Sequence, residues 1–216
     1  MRRLSIIILL IFSVSLWTLS PVFSAVKGGI EYNIPVDYSN LSEADLNLRA
    51  RNFFYNAMQA KDGETTKYTS NALLLYSILQ SMNPEHTEYS IKLGILYEKI
   101  GKDRYAKGNF ARAIQINHLN PSPYFYLGEF YYKKQSYRKA LRYYRDAYKL
   151  GYDKNYDTLY KMGDIYEKLG DTRSALKFLN EAQGQSTNPE LENKIKRIQA
   201  NDAVNKEYYS DTRIRG

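Results

Sequence analysis

Residues 121–147 read PSPYFYLGEFYYKKQSYRKALRYYRDA. Within this stretch Tyr124, Leu127, Gly128 and Tyr131 fall at i, i+3, i+4 and i+7, one face of a helix of 3.6 residues per turn. Ala140, Tyr144 and Ala147 then repeat that spacing. The segment therefore predicts two antiparallel helices whose small residues sit where the backbones approach most closely. Large and small positions alternate across the pair, as close packing requires. A side chain larger than glycine or alanine at those points would push the helices apart.

The pattern recurs on both sides. A leucine or methionine followed by glycine, with tyrosine three further on, stands at Leu93-Gly94…Tyr97, Leu127-Gly128…Tyr131 and Met162-Gly163…Tyr166. Alanines follow at Ala106, Ala140 and Ala175 and again at Ala113, Ala147 and Ala182, with Phe110, Tyr144 or Leu179 between them. Successive glycines are 34 and 35 residues apart. Breakers such as Gly101-Lys102-Asp103 and Gly170-Asp171 mark the turn inside the hairpin. This arrangement resembles the tetratricopeptide repeat, whose signature is W-x2-L-G-x2-Y…A-x3-F over 34 residues. The Sel1-type repeat, with its longer and more variable period, fits less well. The resemblance implies an all-α, right-handed helical-hairpin solenoid of about three to four repeats with a C-terminal capping helix, and a role in binding other proteins.

The predicted boundaries follow from the register. Repeats occupy 87–120, 121–155 and 156–189, and a degenerate first repeat occupies 42–86. In that first unit Ala72, Tyr76 and Pro84 match a second helix, while Phe53, Asn56, Ala57 and Ala60 form a first helix with alanine in place of glycine. Ser42 ahead of Glu43, Ala44 and Asp45 predicts a capped start to a helix over about 43–61. Lys61 to Thr69 holds three residues more than the pattern allows, so either the turn is longer or a helix overruns. Gly108 lies inside a second helix at a cost of about 1 kcal/mol relative to alanine. Past Pro189, Leu191, Ile195 and Ile198 mark a capping helix over 190–207, and 208–216 reads as a disordered tail.

At the other end Arg2 and Arg3 precede an apolar run from Leu4 to Leu19, then Pro21 and small residues near Ser24 and Ala25. That order is a signal peptide over 1–25, followed by an extended leader over 26–41. The run is shorter than the roughly 20 residues of a spanning helix, although a retained anchor is the rival reading. The expected location is the periplasm or the exterior of a bacterial cell. With no cysteine in the chain, neither a cysteine-linked lipid nor a disulfide can form.

Chemistry-bearing motifs are scarce. Only His86 and His118 could act as imidazole bases or ligands, and both stand near the ends of second helices. No phosphate-cradling, zinc-protease or nucleophile-elbow motif occurs. The expectation is a protein without enzymatic activity, cofactor or metal. The 22 tyrosines, against 8 phenylalanines, read as ring packing with hydroxyls at wet edges rather than as a ligand cage.

Charge is localised. The chain carries +8, yet the window Lys133 to Lys149 alone sums to +6 and the remainder, without Arg2 and Arg3, is close to neutral. Arg138, Arg142, Arg145 and Lys149 are spaced as one helical stripe. The stripe reads either as a solvated face or as a contact for anionic lipid or wall polymer. Nucleic acid is not an expected partner of an exported chain.

The family resemblance places partner binding on the first helices. There the face beside the core stripe carries Phe54, then Ile91 and Ile95, then Phe125, Glu129 and Tyr132, then Tyr160, Asp164 and Glu167. Such a groove suits a peptide with apolar anchors and basic flanks held by Glu129 and Asp164. Relatives that bind acidic tails use a basic and asparagine clamp, which Ile91, Ile95 and Glu129 do not supply. Two functions therefore stand open from the sequence: an exported protein-binding scaffold, or a peripheral envelope protein attached through the basic stripe.

Overall fold

The computed structural model describes residues 23–27, 30–34, 38, 40–60, 65–186 and 188–214. The expected signal segment falls almost entirely outside them. The chain forms two compact units, residues 1–96 and 97–216.

In the first unit, β1 (Phe23–Lys27) and β2 (Ile30–Ile34) pair antiparallel, with Phe23 opposite Ile34 and Lys27 opposite Ile30. Within the leader expected over 26–41, the described residues 26–27 and 30–34 are strand. Gly28 and Gly29, between the two strands in the sequence, lie outside the described residues. The expected cleavage point lies inside β1, so a cut before Ala25 would remove two of its five residues. Next come α1 (Glu43–Gln59) and α2 (Thr65–Met82). Ser42 Oγ accepts the Asp45 N–H at 3.2 Å, so the serine cap and acidic first turn start α1 as the sequence predicts. Ala50 and Ala57 are fully buried on α1, as are Ala72, Leu73, Leu75 and Leu79 on α2. The excess residues after Lys61 are absorbed largely by helix: α2 begins seven residues before Ala72, whereas the later second helices begin three before their first alanine. Helix α3 (Thr87–Lys99) starts in this unit and ends in the next.

The second unit contains α4 (Asp103–Ile116), α5 (Pro121–Lys133), α6 (Tyr137–Ala147), α7 (Tyr156–Lys168), α8 (Thr172–Gln183) and α9 (Pro189–Ile214). Its hairpins close through the glycines. A methyl group on Gly128 would come within 2.8 Å of the Tyr144 ring, and one on Gly163 within 2.6 Å of Leu179 Cγ. Both meet the large residue that lies between the alanines of the facing helix, as the small-large alternation predicts.

The first helices α3, α5 and α7 end in the same way. The N–H groups of Lys102, Ser136 and Asp171 return to the carbonyls of Tyr97, Tyr131 and Tyr166, six-residue closures in which the residue before takes positive φ. That residue is Gly101 (φ 71°), Gln135 (φ 56°) and Gly170 (φ 82°). The tyrosine rings also pack alike, with Tyr131 stacked on Tyr143 and Tyr166 on Phe178. Asn109 replaces the equivalent ring one repeat earlier, and there Tyr97 stacks on Tyr105 instead. The extra residue of the 35-residue period falls after Ala147, where the backbone widens into a π turn over Tyr148–Tyr152 that Gly151 ends at φ 115°.

Leu191, Ile195 and Ile198 of α9 complete a buried cluster with Leu159, Met162, Phe178 and Leu179. This is the capping role expected of the segment. The helix runs on to Ile214, through most of the segment expected as a tail over 208–216. No glycine or proline interrupts the chain between Pro189 and Gly216.

Candidate functional site

The first helices α5 and α7 bring together the residues expected at a partner-binding face in the second unit. Asn120 and Asn155 cap them, accepting the N–H of Ser122 at 2.9 Å and of Thr158 at 2.8 Å. The caps fix where each helix starts and hence which residues turn outward. Phe125 is half-buried, its ring edge-on to Tyr144 and Tyr152 at 5.8 and 5.9 Å between centroids. Tyr160 is half-buried and stacked on Tyr156 at 6.0 Å. Tyr132, also half-buried, donates its hydroxyl to Asp164 Oδ2 at 2.6 Å.

The carboxylates are already engaged. Glu129 accepts the Tyr144 hydroxyl and lies 3.6 Å from Lys161 Nζ. Asp164, only 5% exposed, is paired with Lys194 of α9 and with Lys168 at 3.5 Å. Glu167 pairs with Lys194 at 3.0 Å and with Arg197. Glu129 and Asp164, expected to hold basic flanks of a partner, thus already have partners within the chain. A buried carboxylate needs a counter-charge at all times, and neighbouring helices provide it.

Burial alone would raise the Asp164 carboxyl. Hydrogen bonds from Lys194 and Tyr132 and the charges of Lys194 and Lys168 outweigh it and hold the group below the usual carboxylate range. Lys194 is likewise lowered by burial but raised further by Asp164 and Glu167, so it stays charged. The Tyr132 and Tyr144 hydroxyls are pushed well above their ordinary value, first by burial and then by Asp164 and Glu129 respectively. Both therefore remain donors.

The sequence reading missed the cations. Lys161 stands 32 residues after Glu129 and Lys194 stands 30 after Asp164, with Tyr132 and Asp164 again 32 apart. Near-repeat spacing between opposite charges is the signal that would have found them, because it sets them on adjacent first helices. Lys161 Nζ also lies 4.0 Å from the Tyr132 ring centre and Lys194 Nζ 5.2 Å from that of Tyr160. The ladder therefore joins α5, α7 and α9 side by side, and Phe125, Tyr132 and Tyr160 keep part of their surface in solvent.

In the first unit, Phe54 is half-buried against Tyr76 with Lys92 Nζ 4.5 Å from its ring centre. Ile91 is buried and Ile95 half-buried, so Ile91 belongs to packing rather than to an open face. His86 stacks on Tyr89 at 4.0 Å, and His118 is exposed in a turn. Among the described residues no group of three or more histidines or carboxylates is placed to hold a metal ion, and no helix is long and apolar enough to cross a membrane.

The basic stripe faces outward. Arg138, Arg142, Arg145 and Lys149 are all exposed, while Ala140, Tyr144 and Ala147 on the opposite side of α6 are fully buried.

These hairpins define a helical-repeat solenoid of the tetratricopeptide type, and comparison with known proteins agrees. Residues 157–185, which hold α7 and α8, match the tetratricopeptide repeat family. The crystal structure of MamA is similar with a TM-score of 0.56 at 18% identity, over 70% of this chain and 91% of that one. A further structure, MamA AMB-1, gives a TM-score of 0.57 at 17% identity, over 77% of this chain and 87% of that one. No curated protein matches the sequence. At such identities the likeness establishes the fold, which is one suited to a protein-interaction scaffold.

Proposed function

We propose that this chain is an exported, non-catalytic scaffold that holds a segment of a partner protein along the outer face of α5 and α7. The carrying observation is the internal ladder Tyr132–Asp164–Lys194 and Glu129–Lys161, which fixes these helices beside each other and leaves a row of partly exposed rings. Because the carboxylates are neutralised from within, the partner's contribution is apolar or aromatic rather than basic. Rings of this kind carry a disproportionate share of binding energy at protein interfaces. Export is supported by Arg2-Arg3 followed by the apolar run to Leu19.

Site-specific photo-crosslinking on protein isolated from the envelope of its source cell tests both parts. Amino-terminal sequencing should give Ala25 or Val26, and an intact Met1 in the membrane fraction would establish an anchor instead. A photoreactive residue at Phe125 or Tyr160 should trap a protein that the same probe at the exposed Leu119 does not. Equal trapping at all three positions, or none at the two ring positions, refutes the binding face independently of the export result.

A further inference from the structure

The stripe on α6 is one part of a wider arrangement. Arg104, Arg138 and Arg173 are each the second residue of a second helix, α4, α6 and α8, and all three are exposed. They are 34 and 35 residues apart, so they occupy one repeat position. One turn further on, Arg142 and Lys177 are again equivalent and exposed.

Intrinsic stability does not explain this pattern. A cation in the first turn opposes the partial positive charge of the helix start, where acidic residues are favoured. On the first helices Glu98, Glu129, Asp164 and Glu167 are each paired with a lysine or arginine, yet among the described residues no ion pair engages Arg104, Arg138, Arg142, Arg145, Lys149 or Lys177. Asp171, two residues before Arg173, is held low chiefly by its cap hydrogen bonds from Ser174 and further by Arg173; Asp146 and Glu181, one turn after Arg142 and Lys177, form no ion pair with them. The outer face of these hairpins thus gathers unneutralised cations at a recurring position, and no single helix accounts for it.

We propose that this face, centred on Arg138 and Arg142 and extended by Arg104 and Arg173, docks on the phosphate headgroups of an anionic lipid bilayer. Guanidinium groups match phosphate oxygens in geometry as well as charge. A bilayer is the favoured source because the apolar run Leu4–Leu19 brings the chain to a membrane whether it is cut or retained. Cations repeated over three successive hairpins suit an extended charged surface. The surface is separate from the ring face on α5 and α7, so a scaffold held in this way keeps its partner face free.

Flotation of the full-length protein with vesicles of phosphatidylcholine alone, or with about one-third phosphatidylglycerol, tests the proposal. The apolar segment contributes to both vesicle types, so the informative quantity is the ratio of anionic to zwitterionic binding. One cation near an anionic surface changes affinity by about fivefold. Arg138→Glu, Arg142→Glu and Arg145→Glu together should reduce the ratio at least tenfold at low salt, and the parent ratio should fall as salt rises. Arg104→Glu with Arg173→Glu should reduce it at least threefold, which a stripe confined to α6 would not produce. Lys67→Glu with Lys196→Glu, an equal charge change elsewhere on exposed positions, should leave it within twofold, and circular dichroism should show all variants folded. An unchanged ratio in the triple variant overturns the proposal. So does equal loss in the Lys67 and Lys196 control, or retention on a purified anionic wall polymer without vesicle binding.

Discussion

Replacing Gly163 by alanine and Gly108 by alanine makes the same chemical change with opposite expected signs. Both glycines lie inside helices, so alanine gains about 0.8–1 kcal/mol of helix propensity at either site. At Gly108 nothing lies within 4 Å of the added methyl group, and that gain is realised in full. At Gly163 the methyl group would stand 2.6 Å from Leu179 Cγ, 2.7 Å from its Cδ2 and 3.1 Å from its backbone nitrogen. Leu179 is fully buried in the cluster with Met162, Ile165 and Ala182, so its branch point has nowhere to retreat and α8 itself must shift. Overpacking of this kind costs about 1–3 kcal/mol. Net of propensity, Gly163→Ala should destabilise by up to about 2 kcal/mol, and Gly163→Leu by more. For a chain of this length about 1 kcal/mol corresponds to about 2–4 °C in melting temperature. Thermal and urea unfolding followed at 222 nm should therefore place Gly108→Ala about 2–4 °C above the parent and Gly163→Ala several degrees below it. A Gly163→Ala variant stabilised as much as Gly108→Ala would mean that the two helices do not meet at this residue, and the repeat register would be wrong.

Gln135 holds a left-handed conformation that glycine occupies in the two equivalent turns, so Gln135→Gly should stabilise by about 0.5–1 kcal/mol; a lower melting temperature would contradict the turn geometry. Asp164→Asn leaves Lys194 with Glu167 alone and should cost about 1.5–3 kcal/mol at neutral pH. Because the folded carboxyl lies below its unfolded value, this contribution is complete above pH of about 3.9 and is lost as pH falls through the depressed folded value. Parent and variant stabilities should converge only at the acid end of a pH series, and a difference independent of pH would remove the ion pair from the account.

The first-helix face was only partly legible in the sequence. Helical spacing placed Phe125, Glu129, Tyr132, Tyr160 and Asp164 on one side of their helices, because periodicity reports which residues share a face. It could not report that Lys161 and Lys194 come from the next helices to neutralise Glu129 and Asp164. Such pairs are about thirty residues apart, and their meeting depends on how adjacent first helices are offset. Ile91 shows the same limit, since an apolar residue beside a core stripe reads alike whether the next helix covers it or solvent does. The stripe on α6 was legible as charge, whereas the absence of any ion pair to it among the described residues required the positions of the surrounding carboxylates.

By itself the sequence determined the repeat and its hairpins. Glycine and alanine at fixed spacing permit only a close helix pair, and a turn such as Gly101-Lys102-Asp103 ends one helix and starts the next through contacts local in the chain. Local rules also set the Ser42 cap of α1. The tertiary structure decided what lies between repeats and at the ends: the ladder from Tyr132 through Asp164 to Lys194, the burial of Ile91, the π turn after Ala147 and the run of α9 to Ile214. The ladder and the burial depend on groups brought together by stacking one helix on another, which no window of a single helix contains.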